Sequence, residues 1–270
     1  MRGFGPLFKY VETDVRHNMA KHKKKAISLL LGAVMVLLAV GGMMVFWDGP
    51  QEPVQEQEDA PGSSETSMGI NVDIIKAEQL WLEIRSVENV RKAVGTGVVY
   101  DVTEDGVWIA TAAHVTDARD KGDEIRVTVE DKQFCCTEYY PAKDEDLAFV
   151  YLSITDLSRE DAGIFQEICT DKSTYDMLAA EEIVTAKGYQ AGEPVEYLGT
   201  LLEPWIYVED FEQYMILAQC EVHQGMSGGG LYDSLGNFIG MICGGNEEGE
   251  LVAVPWHVMQ ARFEEICGED

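Results

Sequence analysis

Gly225-Met-Ser-Gly-Gly-Gly-Leu-Tyr-Asp-Ser-Leu-Gly-Asn237 is the stretch on which the reading of this 270-residue chain turns. A serine among glycines can sit on a tight turn with its Oγ exposed, because glycine adopts backbone conformations closed to other residues. The N–H groups of Gly225 and Ser227 are then placed to converge on one point and hold a developing oxyanion. A Gly-rich β-turn without chemistry has the same composition. A phosphate-binding loop needs a Lys-Ser/Thr ending or G-x-G-x-x-G spacing, and neither is present. Residues 225–229 match G-x-S-x-G literally, but that elbow needs a helix after the serine, and another strand is expected here. Its order would also be Ser, acid, His, which only His257 keeps open.

Two segments upstream complete a constellation. Val107-Trp-Ile-Ala-Thr-Ala-Ala-His114 runs an apolar strand into small residues that let backbone pack closely around an imidazole. Asp144-Glu-Asp146-Leu-Ala-Phe-Val-Tyr-Leu152 opens a strongly apolar strand with acids. Asp144 and Glu145 read as a solvated turn. Asp146 abuts Leu147-Ala148 and is the one expected to be drawn inward. A partly buried carboxylate can accept from a histidine Nδ1–H, fixing the tautomer and stabilising the imidazolium.

The surrounding pattern is β-structure. Short apolar or alternating runs bounded by Gly, Asp and Asn predict strands at Trp81–Val87, Gly97–Tyr100, Val107–Thr111, Ile125–Val129 and Leu147–Leu152. A second group is predicted at Glu182–Ala186, Val195–Leu201, Met215–Cys220, Gly230–Tyr232, Phe238–Cys243 and Leu251–Val254. Ser153–Leu178 reads as a connection, with some helix at Asp161–Cys169. Pro255 suits the first turn of a closing helix, and Trp256, Met259, Phe263 and Ile266 form one apolar stripe. The class is all-β.

The three segments GVWIATAAHV, DEDLAFVYL and HQGMSGGGLYDSLGNFIGM resemble the His, Asp and Ser motifs of chymotrypsin/trypsin-like serine proteases, in that family's order. The GTGVVYD run at Gly95–Asp101 and LVAVPWHVM near the C-terminus look most like the bacterial HtrA/Deg branch, without a PDZ-like domain after residue 267. The resemblance covers roughly residues 76–267. It implies a chymotrypsin-like double β-barrel with the site in the cleft between barrels and a C-terminal helix. It makes His114 the general base, Asp146 its orienting partner and Ser227 the nucleophile, with the backbone of Gly225, Met226 and Ser227 as oxyanion hole. The strand at residues 241–245, with Gly244 and Gly245, would line the substrate cleft. Glu221 and His223 would lie by the specificity pocket, favouring a basic side chain if Glu221 points inward. Met226 stands where many animal relatives have Asp, so activation through a new N-terminus is not expected. Trimers occur among HtrA-type relatives.

Composition and charge set the compartment. Apolar residues make up 46% and charged residues 25%, as in a globular protein. The formal charge of −28 excludes a general nucleic-acid binder. Residues 1–25 carry 7 − 2 = +5, leaving 13 − 46 = −33 for the rest. The 22 residues Ala26 to Trp47 hold no charge and would span about 33 Å as a helix, the depth of a bilayer core. Lys21, Lys23, Lys24 and Lys25 precede them, which predicts an uncleaved signal anchor with residues 1–25 as a cytoplasmic tail and everything after 48 outside. Residues 48–69, with three prolines, six acids and no basic residue, read as a disordered stalk. The protease domain is then 70–270, with barrels at about 76–155 and 180–255 and a helix at 255–267.

Six cysteines, Cys135, Cys136, Cys169, Cys220, Cys243 and Cys267, fall on the outer side, where disulfides are permitted. Fifteen full pairings exist; Cys220 with Cys243 across the serine loop is one, and free buried thiols are as compatible. No C-x-x-C pair is present, so no metal site is expected, and no cofactor is implied. Three functions fit: a serine endopeptidase acting on protein or peptide substrates, a protease-fold binding or sensing module without turnover, and an esterase using the same residues.

Overall fold

The computed structural model describes residues 5–6 and 77–266, which fall in one compact unit. The tail apart from Gly5 and Pro6, the apolar run 26–47, the acidic stretch 48–69 and Cys267 lie outside the described residues. Among the described residues no helix is long and apolar enough to cross a membrane.

A two-residue strand, β1 (Gly5–Pro6), comes first in the chain and joins the second sheet below. The first sheet has seven antiparallel strands: β2 (Gln79–Arg85), β3 (Arg91–Val102), β4 (Gly106–Ala112), β5 (Glu124–Val129), β6 (Lys132–Cys135), β7 (Glu138–Ala142) and β8 (Leu147–Ser153). Their spatial order is β6-β5-β2-β3-β4-β8-β7. Leu80, Leu82, Ile84, Val98, Ile109, Leu147 and Phe149 are fully buried in this half. Each contributes about 1.5–3 kcal/mol by leaving water.

The second sheet is built from β9 (Ile183–Gln190), β10 (Glu193–Val208), β11 (Gln213–Gln219), β12 (Gly230–Tyr232), β13 (Phe238–Gly245) and β14 (Glu250–Pro255). It runs β13-β12-β9-β10-β11-β14, and β14 pairs back onto β13, so these six strands close a ring. β1 is a seventh strand on β13. The result is the all-β, double-barrel-like fold that the resemblance implies.

All eleven expected strand segments are strands in part or whole. β6 and β7 were not expected. They are polar, half-exposed strands, and Pro141 sits within β7. β10 runs past its expected end at Leu201 through Pro204 to Val208. Proline is tolerated inside a strand at a bulge, and the β10–β11 register shifts on both sides of Glu203.

The connection at 153–178 holds two short helices, α2 (Arg159–Ala162) and α3 (Lys172–Met177); α1 (Ala113–Thr116) lies earlier, beside the site. The helix expected within Asp161–Cys169 is formed only at Asp161 and Ala162, the last two residues of α2. α2 stops at Gly163, and Ile164, Phe165 and Ile168 instead bury themselves singly in the core, with Phe165 bridging to Ala77. The closing helix α4 (Trp256–Ile266) starts one residue later than expected, Pro255 being the last residue of β14. Met259 is buried, and Trp256, Phe263 and Ile266 pack on the core as the stripe predicts.

Candidate active site

β4 and β8 lie side by side, with Ala112 opposite Leu147. His114 follows the end of β4 and Asp146 precedes the start of β8, so the pairing brings them together. The Ala113 N–H donates to the Asp146 carbonyl (3.0 Å), continuing the ladder by one bond. The Asp146 carboxylate accepts the His114 backbone N–H (2.9 Å) and lies 2.8 and 3.1 Å from the ring Nδ1. Asp146 has φ +52°, a left-handed conformation uncommon for a residue with a Cβ. Strain of this kind persists where surroundings over-determine it. Here the carboxylate is held by the histidine. Its carbonyl is held by Ala113, and the Cys243 Sγ approaches it at 3.9 Å. Both side chains are about 15% exposed, so the pair is screened from water yet open on one side.

Ser227 sits on the double turn between β11 and β12. The turn depends on glycine in two places. Gly225 has φ +101°, and a Cβ there would lie 2.6 Å from the Tyr189 carbonyl oxygen. Gly228 has φ +87°, and its Cβ would lie 2.0 Å from the Thr96 carbonyl oxygen. Within the turn the Met226 N–H donates to the His223 carbonyl (3.1 Å), so it is already used. Gly228 and Gly229 donate to Ile242 and Met226. Among the described residues, the amides of Gly225 and Ser227 donate to no backbone carbonyl. Of the three oxyanion-hole positions expected from sequence, Gly225 and Ser227 therefore carry the available donors, and Met226 contributes a fully buried side chain to the second core.

Thr96, on β3 of the first sheet, fastens this turn. Its N–H donates to the Ser227 carbonyl (2.8 Å) and its Oγ1 to the Gly225 carbonyl (2.7 Å). Its Oγ1 also accepts from the Tyr189 N–H (2.9 Å), and its carbonyl accepts from Thr111 Oγ1 (2.7 Å). Sequence reasoning missed both threonines. The signal was available: a polar residue between Gly95 and Gly97, followed by Val98 and Val99 in the buried middle of its strand, must spend its hydroxyl on something.

The expected cleft residues are placed as follows. Gly244 and Gly245 end β13, the strand whose Ile242 carbonyl accepts from Gly228 (2.8 Å) and whose Cys243 faces Asp146. Glu221 does not point inward. Its side chain is 67% exposed, and its carboxylate pairs with His223 Nε2 (2.9 Å), whose ring stands edge-on to Tyr197. The basic-side-chain preference that an inward Glu221 would have given loses its basis. His257 is enclosed by the Tyr175 and Trp205 rings, centroids 4.6 and 5.0 Å away, and burial pulls its pKa below the ordinary value. Ser227 is 1% exposed, and its Oγ is buried with no hydrogen-bond partner.

Cys220 and Cys243 are both buried and free, so the bridge across the serine loop is not formed. Cys135, Cys136 and Cys169 are free as well. Burial pushes the Cys220 and Cys243 thiols up, which keeps them protonated.

A double-barrel-like β-fold with a histidine–carboxylate pair on one sheet and a serine on a glycine turn of the other is the architecture of a chymotrypsin/trypsin-like serine protease. The family model of the trypsin-like peptidase domain matches residues 95–241, more than half of the chain, and the chain belongs to that family. No curated protein matches it.

Proposed function

We propose that the chain is a membrane-anchored serine endopeptidase whose domain acts outside the cytoplasm, with His114, Asp146 and Ser227 as its catalytic residues. The observation that carries this reading is the His114–Asp146 contact, 2.8 Å from Nδ1 to Oδ2, on the sheet that also fastens the Ser227 turn through Thr96. Asp146 holds the Nδ1–H tautomer, leaving the lone pair on Nε2. Ser227 Oγ attacks the peptide carbonyl while Nε2 takes its proton, and the amides of Gly225 and Ser227 receive the oxyanion. His114 then protonates the leaving amine. A water, deprotonated by the same nitrogen, releases the acyl group and restores the serine.

Membrane anchoring rests on the 22-residue uncharged run and its four preceding lysines. Placement near the HtrA/Deg branch rests on the motif resemblance. Because Glu221 faces solvent, it offers no charge to hold a basic side chain in the pocket beside Ser227. A second reading, a protease-fold binding module without turnover, is favoured by one observation: the Ser227 Oγ is buried and makes no hydrogen bond.

Fluorophosphonate labelling of the full chain in detergent, beside Ser227→Ala, separates the two. Labelling of the wild type alone is expected. A folded wild type that takes no label favours the binding module.

A further inference from the structure

β1 lies on the strand that borders the site. Gly5 pairs antiparallel with Gly245, and Pro6 with Gly244. Gly244 and Gly245 already pair with Val252 and Leu251 of β14 on one edge. β1 must therefore take the other edge, the one that β12 occupies further along, where Gly230 faces Met241. β12 begins at Gly230, three residues after Ser227, so this edge is vacant where the serine turn bends away. Because β1 is antiparallel to β13, its direction from Gly5 to Pro6 runs from Gly245 to Gly244, toward Cys243 and the Ser227 turn. An extended segment in this register is aimed at the reactive serine.

Three further features suit this occupant. Gly244 and Gly245 carry no side chain, so another strand can approach closely. Proline has no N–H to leave unpaired and is tolerated on an edge strand. Charge favours the encounter: residues 1–9 hold Arg2 and Lys9 and no acid, while Glu247 and Glu248 follow Gly245 and the chain beyond residue 25 carries −33.

We propose that the Gly5–Pro6 segment of the chain is a ligand of its own cleft, an edge strand that competes with peptide substrate for Gly244–Gly245. The proposal rests on the peptidase reading for its inhibitory consequence, though not for the binding itself. It also sets a condition on the membrane reading. A chain whose residues 26–47 cross a bilayer once holds Gly5 and Gly245 on opposite faces. Self-occupancy then belongs to the chain that has not inserted, and insertion withdraws the strand.

The test uses the full chain in detergent, where both ends share one phase, beside Pro6→Asp and a deletion of residues 1–9. Hydrogen exchange in a Ser227→Ala background reads the binding without catalysis. The Asn246 amide donates to Glu250 on the β14 side, so the Gly245 amide, opposite Gly5, is the one expected to exchange faster in both variants, and equal exchange there overturns the proposal. Turnover of a fluorogenic peptide by the Ser227-containing chains reads the competition. A tethered strand at an effective concentration in the millimolar range should raise KM about twofold or more over the deletion, with kcat unchanged and no dependence on enzyme dilution. An equal KM, or an inhibition that dilution relieves, overturns the intramolecular strand. If no chain turns over or takes fluorophosphonate, the peptidase reading falls, and hydrogen exchange still decides the occupancy. In proteoliposomes the KM difference is expected to vanish. If it persists, the strand is supported and the single-pass span is what fails.

Discussion

Replacing Thr96 with valine tests whether the first sheet positions Ser227, the proposed nucleophile, on the second. Valine keeps the shape of threonine and removes only the hydroxyl. The Thr96 N–H bond to Ser227 survives the change. Two bonds are lost: Oγ1 to the Gly225 carbonyl (2.7 Å, buried) and the Tyr189 N–H to Oγ1 (2.9 Å, partly buried). A buried carbonyl left without its partner costs about 1–3 kcal/mol, and an amide that water can still reach costs about 0.5–1.5 kcal/mol. The sum is about 2–4 kcal/mol, and at a urea slope of about 2 kcal/mol/M the midpoint should fall by about 1–2 M. The Gly225–Met226 peptide is also freed at a residue held at φ +101°, and the N–H on the other side of that residue, Gly225's own, is one of the two proposed oxyanion donors. Losing a donor outright costs about 10²–10³ in kcat, so a loosened one should cost about 10–100-fold. Urea melts and peptide turnover on Thr96→Val and Thr96→Ser read both effects. Serine keeps the hydroxyl and should restore most of each. If Thr96→Val melts and turns over like wild type, or if Thr96→Ser is as impaired as valine, the hydroxyl does not position the turn and the reasoning is wrong.

Gly228→Ala should prevent accumulation of folded protein, because its Cβ would meet the Thr96 carbonyl at 2.0 Å in a backbone region that already strains alanine; normal yield and near-UV dichroism would refute this. His257 is held neutral by burial, so unfolding in acid takes up a proton there. Its contribution to stability is full above the unfolded value of about 6.5 and is lost as pH falls through the lower folded value. His257→Phe should flatten that part of a Tm-against-pH curve, and an unchanged slope below neutral pH counts against the assignment. Iodoacetamide should modify the exposed Cys135 and Cys169 in the native protein and reach the buried Cys220 and Cys243 only on unfolding, as peptide mass mapping would read. Arg262→Ala removes an ion pair to the largely buried Glu145 (2.8 Å) while Arg262 itself is about a third exposed. A loss of about 1 kcal/mol, or about 2–4 °C in Tm, is expected by calorimetry, and no shift would mean that solvent already screens the pair.

What the sequence made legible was what lies within a few residues. His114 and Asp146 each stand at the end of an apolar strand, and Ser227 stands in a glycine run, so their neighbours announce them. The strands whose burial alternates or is complete, such as β5 and β8, were legible for the same reason. β6 and β7 were not, because half-exposed polar strands at a sheet margin have no apolar period to read. Neither was the direction of Glu221. An acid six residues before a serine has the same sequence context whether it faces a pocket or water, and the choice is made by His223 and Tyr197. The span 26–47 is the reverse case. Its composition is explicit, while its placement lies outside what the structure describes.

The pairings that assemble the site join residues far apart in the chain. Thr96 reaches Gly225 and Ser227 across 129 and 131 positions, and Gln213 caps the Glu145 carbonyl across 68. Each closes a long loop whose entropy must be offset by other contacts formed at the same time, so none can be stable until both sheets are formed. The serine turn therefore depends for its stability on both sheets, and its glycines permit the geometry without enforcing it. Enforcement is shared between the first sheet, through the Thr96 hydroxyl and amide, and β13, through the bonds that Gly228 and Gly229 make with Ile242. That division explains why a serine–glycine motif read alone is ambiguous.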